Sequence, residues 1–153
     1  MDFPLRNLNE TEKDSLKTAP IYVGLLIASV DGEVSKNELA RIEDIIKTKT
    51  FSEHNDVHYL YTELANNDLL NNINTIFDGL GSSTDERVSG ATEALKNLNS
   101  ILPRLNPTYA LQFRDSLHDI AVEVAKASGG IFGIGSISDE EKEVLNLPMI
   151  DKV

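Results

Sequence analysis

The chain has no cysteine. Disulfides, thiolate-bound metals, cysteine nucleophiles and thiol redox chemistry are therefore excluded. Basic residues are scarce: 14 lysines and arginines face 25 aspartates and glutamates, for a formal net charge of -11. Such a surface repels nucleic-acid phosphates and anionic membranes, so cations and basic protein faces are the compatible partners. Long hydrophobic runs are missing too. The longest apolar stretch, Ile21 to Val30, is too short to span a bilayer and is interrupted by Gly24 and Ser29, so no membrane insertion is expected. The opening "MDFPLRNLNE" lacks a basic segment followed by an apolar one, which leaves a cytoplasmic location as the expectation. Strict apolar–polar alternation is nearly absent, which argues against half-buried strands.

What is present is helical periodicity. At 153 residues and 41% apolar, the chain suits one globular domain with a real core. Asn9 to Lys17 is polar and predicts a short first helix ending before Pro20, within a peripheral N-terminal segment 1–18. Ala19 to Val30 is apolar on every side, as a central buried helix would be. After the Asp31-Gly32 turn, Ser35-x-x-Glu38 forms a capping box that opens a helix with Leu39, Ile42, Ile45 and Ile46 on one face. Further helices are predicted from about Asp56 to Ala65 and from Asp68 to Leu80. Another follows Ser83 or Thr84, carries Val88, Ala91, Leu95, Leu98 and Leu102, and stops at Pro103. Asn106-Pro107, a cap with proline at the first helical position, starts a long helix to Ala127 with Tyr109, Phe113, Leu117, Ile120 and Val124 inward. A last short helix begins at Ser138. The expected fold is an all-α, single-domain bundle of about seven helices spanning 1–153.

Two interhelical corners resemble each other. "LLIASVDGEVSKNELARI" and "EVAKASGGIFGIGSISDEEKEVL" both end an apolar helix in Ala-Ser and pass a glycine-containing loop. Both then place a β-branched residue before a serine cap, with boxes Ser35/Glu38 and Ser138/Glu141. The pattern predicts two related helix–corner–helix units. The half-match of "SVDGEVSKNE" to a calcium-binding EF-hand loop fails, because Ile27 and Ser29 occupy the first and third ligand positions and Ile27 lies in the apolar helix. If the two corners met, Asp31, Glu33 and Glu38 with Asp139, Glu140 and Glu141 would supply enough carboxylates for a hard cation. The same residues also read as ordinary helix caps and turn chemistry.

The motif Asp31-Gly32-Glu33-Val34-Ser35 with Glu38, paired with Ser128 to Gly135, Ile137-Ser138 and Glu141, resembles the TerB-like tellurite-resistance proteins. These residues make up under a quarter of the chain. The resemblance implies a pseudo-two-fold helical bundle and an acidic divalent-cation site where the corners converge. Residue by residue it points to Asp31, Glu38 and Glu141, with calcium or magnesium favoured over zinc. It implies no reaction. Ile134 stands where the second corner would repeat Asp31, so one acidic ligand is missing.

Other constellations are thinner. His54 and His58 stand four apart, but the segment lacks the glutamate of zinc-enzyme helices and a third ligand. "GGIFGIGS" matches neither phosphate-loop pattern and contains no basic residue. No serine–histidine–acid set stands out. The leading expectation is thus a non-enzymatic cytoplasmic TerB-like domain that binds a divalent cation or a partner protein, in a stress or tellurite response. A metal-free interaction module is the alternative, and a metal-dependent hydrolase a third.

Overall fold

Residues 5, 7–30, 32–52, 56–129 and 143–153 are described by the computed structural model. Their periodicity becomes six α-helices: α1 (Glu10–Val30), α2 (Lys36–Ser52), α3 (Val57–Ala65), α4 (Leu69–Gly79), α5 (Thr84–Lys96) and α6 (Pro107–Gly129). Residues 143–145 are helical as well, and no strand occurs among the described residues. The chain is an all-α bundle.

α1 is its axis. Leu16, Ala19 to Ile21 and Val23 to Ser29 are all buried, as the all-round apolar pattern requires. The helix packs most extensively against α5 and α6 and also touches α2, α3 and α4. The predicted break before Pro20 does not occur: α1 runs through it without interruption. Proline removes one N–H from the ladder and would break an exposed helix. Here it is itself buried within the apolar run, where packing of the surrounding side chains outweighs the lost bond. Each wholly buried leucine or isoleucine contributes about 1.5–3 kcal/mol of burial. Leu5 and Leu8, upstream of α1, also reach the core.

Gly24 lets α2 approach closely. A Cβ there would lie 2.8 Å from Ile42 Cγ2, so the small residue in the apolar run is a packing requirement.

α5 ends earlier than expected. After Lys96 the backbone tightens into 3₁₀ segments at Asn97–Ser100 and Leu102–Arg104, well before the stop predicted at Pro103. The hydroxyl of Ser100 donates to the Asn97 carbonyl at 3.0 Å, the kind of local side-chain bond that competes with an α-helix. Leu98 and Leu102 stay buried through the change of pitch, so the apolar stepping survives where the helix does not.

Other apolar faces divide: Ile45 of α2 and Val88 of α5 are only half-buried, whereas α3 and α6 turn theirs fully inward. Val57, Leu60, Tyr61 and Leu64 of α3 are buried, and so are Tyr109, Phe113, Leu117, Ile120 and Val124 of α6.

The C-terminal residues form a strap across α6. Leu147 and Ile150 are buried, and the Arg114 guanidinium grips the strap's backbone. Its Nε donates to the Asp151 carbonyl at 3.2 Å. Its Nη2 faces the carbonyls of Asn146, Leu147 and Ile150 at 3.3, 3.3 and 3.0 Å. From the 3₁₀ segment, Asn99 donates to the Met149 carbonyl at 2.9 Å and accepts from the Asp151 N–H at 2.7 Å.

Candidate functional site

The first corner is built by three local devices. α1 closes with the Gly32 N–H donating to the Ser29 carbonyl at 3.0 Å, and Gly32 takes φ = 117°, a left-handed geometry suited to glycine. Ser35 then caps α2. Its hydroxyl accepts from the Glu38 N–H at 3.2 Å and donates toward Glu38 Oε1 at 3.4 Å. The predicted serine cap is therefore formed, with the Glu38 carboxylate meeting the Ser35 hydroxyl in place of its N–H.

Of the three proposed ligands, only Glu38 is described. Asp31 and Glu141 lie outside the described residues, as do Asp139, Glu140 and the whole second corner from Gly130 to Lys142. The Glu38 carboxylate itself is turned back onto Ser35. The same arrangement recurs at the start of α5, where the Ser83 hydroxyl takes the Glu86 N–H at 3.1 Å and donates to Glu86 Oε1 at 3.0 Å. A third box opens α1, with Asn9 and Glu12 exchanging bonds of 3.0 and 2.8 Å. Neither of those two helix starts carries the Asp-Gly corner motif at its spacing before the cap. Cap chemistry is therefore sufficient to explain where the Glu38 side chain points.

One polar atom at this corner stands apart. Ser29 is wholly buried in the last turn of α1, and among the described residues no partner meets its Oγ.

Of the histidine pair, only His58 is described; His54 lies outside the described residues. His58 Nδ1 is 2.9 Å from the Thr50 carbonyl, which can only accept, so Nδ1 carries the proton. Nε2 lies 3.4 Å from the Thr62 hydroxyl. The ring ties α3 to the end of α2. Among the described residues, no group of three or more His, Asp or Glu side chains could hold an ion.

A different feature was not anticipated from sequence. Between α2 and α6 lies a cleft of about 570 Å³, with half-buried Ile45 and Val122 as its apolar part and Thr48, His118, Asp119, Glu123 and Lys126 around them. Lys49 lies beneath. It is 8% exposed, and its ammonium sits 3.1 Å from Asp119 Oδ2, whereas the Asp119 side chain is 60% exposed. Burying an ammonium is costly without a partner. The ion pair therefore fixes α2 to α6 and draws the Asp119 carboxylate over the cleft. A sequence signal existed: Lys49 falls seven residues after Ile42 on the inward stripe of α2, where a charge requires an answer. Nothing local, however, reveals that the answer lies at Asp119.

Two further titratable groups are shifted. A hydrogen bond to Glu63 at 2.7 Å, opposed by burial, holds Lys17 above its ordinary value. Burial, followed by the charge of Asp56, pushes the Tyr109 phenol upward. Neither group lines the α2–α6 cleft.

Comparison with other proteins adds little chemistry. No family model and no solved structure matches the chain. It is similar to the uncharacterized protein ORF11' of Methanothermobacter thermautotrophicus, at 27% identity over 121 residues, covering 76% of this chain and 74% of that protein.

Proposed function

We propose that this chain is a non-enzymatic, cytoplasmic, TerB-like helical domain whose role is to hold a protein partner. The observation that carries this reading is the α2–α6 cleft, where apolar Ile45 and Val122 lie inside a rim of charged side chains. An apolar centre within a polar rim is the usual anatomy of a protein–protein contact. The net charge of -11 favours a partner with a basic face and speeds the encounter. The test is photo-crosslinking in an extract of the source cells, with a photoreactive amino acid in place of Thr48. The same group in place of Asp78, on α4, serves as the control. A discrete protein adduct specific to Thr48 is the expected result. Adducts at neither position, or equal adducts at both, count against the reading.

A second reading, a divalent cation at the two corners, is favoured by the buried hydroxyl of Ser29, two residues before Asp31, which no described residue answers. Asp31, Glu38 and Glu141 would hold the ion, calcium or magnesium before zinc, and it would cross-link the corners without chemistry. Against it stands the Glu38 carboxylate, already turned to its own cap. Calorimetric titration with calcium, magnesium, manganese and zinc decides the matter. No heat and an unchanged melting temperature at millimolar metal remove the cation. A melting-temperature gain lost in Asp31→Asn and Glu141→Gln supports it.

A further inference from the structure

The cleft has a directional pattern that narrows its partner. On α6, Asp115, Asp119 and Glu123 follow one another at intervals of four residues, so they form a ridge along one side of the helix. All three are exposed. Asp115 has no ion pair or hydrogen bond among the described residues, and Glu123 meets only Lys126, at 3.8 Å. Beside this ridge runs an apolar line. Leu111, 47% exposed, precedes half-buried Val122 by eleven residues, three turns on the same face. Across the cleft, Ile45 of α2 completes the apolar floor.

The two cations of the cleft, Lys49 and Lys126, leave the third carboxylate of the ridge, Asp115, unmatched. The Lys49 ammonium lies under Asp119, and Lys126 is its own helix's partner to Glu123. An acidic ligand would therefore meet Asp119 and Glu123 on the α6 wall, with Asp115 one turn beyond the cleft and His118 and Lys126 beside them. A basic one would find both acceptors and an apolar floor. Two neighbouring helices also form a trough whose width matches a third helix, since packed helix axes lie about 8–10 Å apart.

We propose that the α2–α6 cleft receives a basic amphipathic helix of a partner protein. Its apolar side lies on Ile45 and Val122, and its lysines or arginines meet Asp115, Asp119 and Glu123. This assignment rests on the reading of the domain as a protein-binding module, and it adds the surface and the chemistry of the occupant. Helix-in-groove recognition supplies the affinity through the apolar anchors, and the ridge supplies orientation and discrimination.

The probe is a labelled peptide about 18 residues long, roughly five helical turns, built from leucine and lysine with one apolar face. Its binding is followed by fluorescence anisotropy at about 0.1 M salt, where long-range attraction is screened beyond about 10 Å. A peptide of the same pattern with glutamate in place of lysine is the charge control. Asp115→Asn with Glu123→Gln removes two charges from the ridge and leaves the Lys49–Asp119 pair intact. Asp85→Asn with Glu93→Gln removes two from α5, which forms neither wall of the cleft. The expected result is binding of the lysine peptide alone, weakened about tenfold by the ridge variant and less than about twofold by the α5 variant. Val122→Gln should weaken it about fivefold or more, with circular dichroism unchanged.

Equal losses in the ridge and α5 variants would reduce the effect to net charge and overturn the proposal. So would failure of the lysine peptide to bind, or indifference to Val122→Gln. A cellular partner crosslinked at Thr48 whose binding ignores both the ridge variant and Val122→Gln overturns this assignment while leaving the binding-module reading intact.

Discussion

The phenol oxygen of Tyr61 lies 2.8 Å from Ser116 Oγ, and both residues are wholly buried. Ser116 also lies 2.6 Å from the Phe113 carbonyl, which accepts its only proton. Tyr61 must therefore donate to Ser116, and the chain of bonds fastens α3 to α6 inside an apolar interior. Tyr61→Phe and Ser116→Ala should each lower stability by about 1–2 kcal/mol in urea unfolding. The double variant should fall short of the sum by about 1 kcal/mol, because the two side chains serve one bond.

Arg114 should be difficult to replace. Its guanidinium serves four backbone carbonyls of the strap, an arrangement that needs a planar fork with several donors. Arg114→Lys should restore charge without restoring the grip. Hydrogen exchange at the Leu147 and Ile150 amides, both hydrogen-bonded within the strap, should accelerate about tenfold or more in Arg114→Lys and in Arg114→Met alike. Protection equal to wild type in the lysine variant would show that the strap is held by its buried side chains alone.

Gly24→Ala puts two general rules in opposition. Alanine improves helix propensity by about 1 kcal/mol over glycine. Here its Cβ would press on Ile42 Cγ2 at 2.8 Å in a buried contact. Overpacking of this kind costs about 1–3 kcal/mol, so the variant should melt lower than wild type. Adding Ile42→Ala should recover part of the contact term, seen as a positive coupling in the double-mutant cycle. A simple gain in stability from Gly24→Ala alone would refute the close approach.

Alkaline pH should weaken the fold through Tyr109. Its phenol titrates above the ordinary tyrosine range, first because it is buried and then because Asp56 is near. The unfolded chain releases this proton at about pH 10, whereas the folded chain retains it. The corresponding stability is complete below pH 10 and falls as pH rises beyond it, by at most about 1.4 kcal/mol per pH unit for this one group. Tyr109→Phe should flatten the decline in melting temperature between about pH 10 and 11.

Local patterns carried most of the fold, and particular residues show why. Leu60 and Tyr61 are inward because a helix repeats every three to four residues, which the neighbouring sequence already displays. The Ser35 cap was legible for the same reason: its partner is three residues away. Pro20 misled, since its local rule breaks a helix and only the surrounding core decides otherwise. The early end of α5 was hidden because Leu98 and Leu102 keep their step through the 3₁₀ turns. Lys49 and Asp119 are 70 positions apart, and Arg114 meets residues up to 37 positions downstream. No periodicity encodes such pairings. The acidic corner was legible as a motif, but of Asp31, Glu38 and Glu141 only Glu38 falls within the described residues, where it serves as a cap.

The strap also bears on which substitutions the chain can tolerate. Arg114 and Asn99 take hold of it through carbonyls and one N–H, groups that almost every amino acid carries. Side-chain identity is demanded most where Leu147 and Ile150 enter the core, and less at half-buried Met149 beside them. In a library that randomises residues 146–151, exposed Asn146 and Asp151 should drift freely, half-buried Met149 should stay apolar and Ile150 should return as an aliphatic residue. Position 147 is the contested one. Its φ of 50° invites glycine or asparagine, while its complete burial selects for leucine, so the survivors there would report which of the two demands the fold ranks higher.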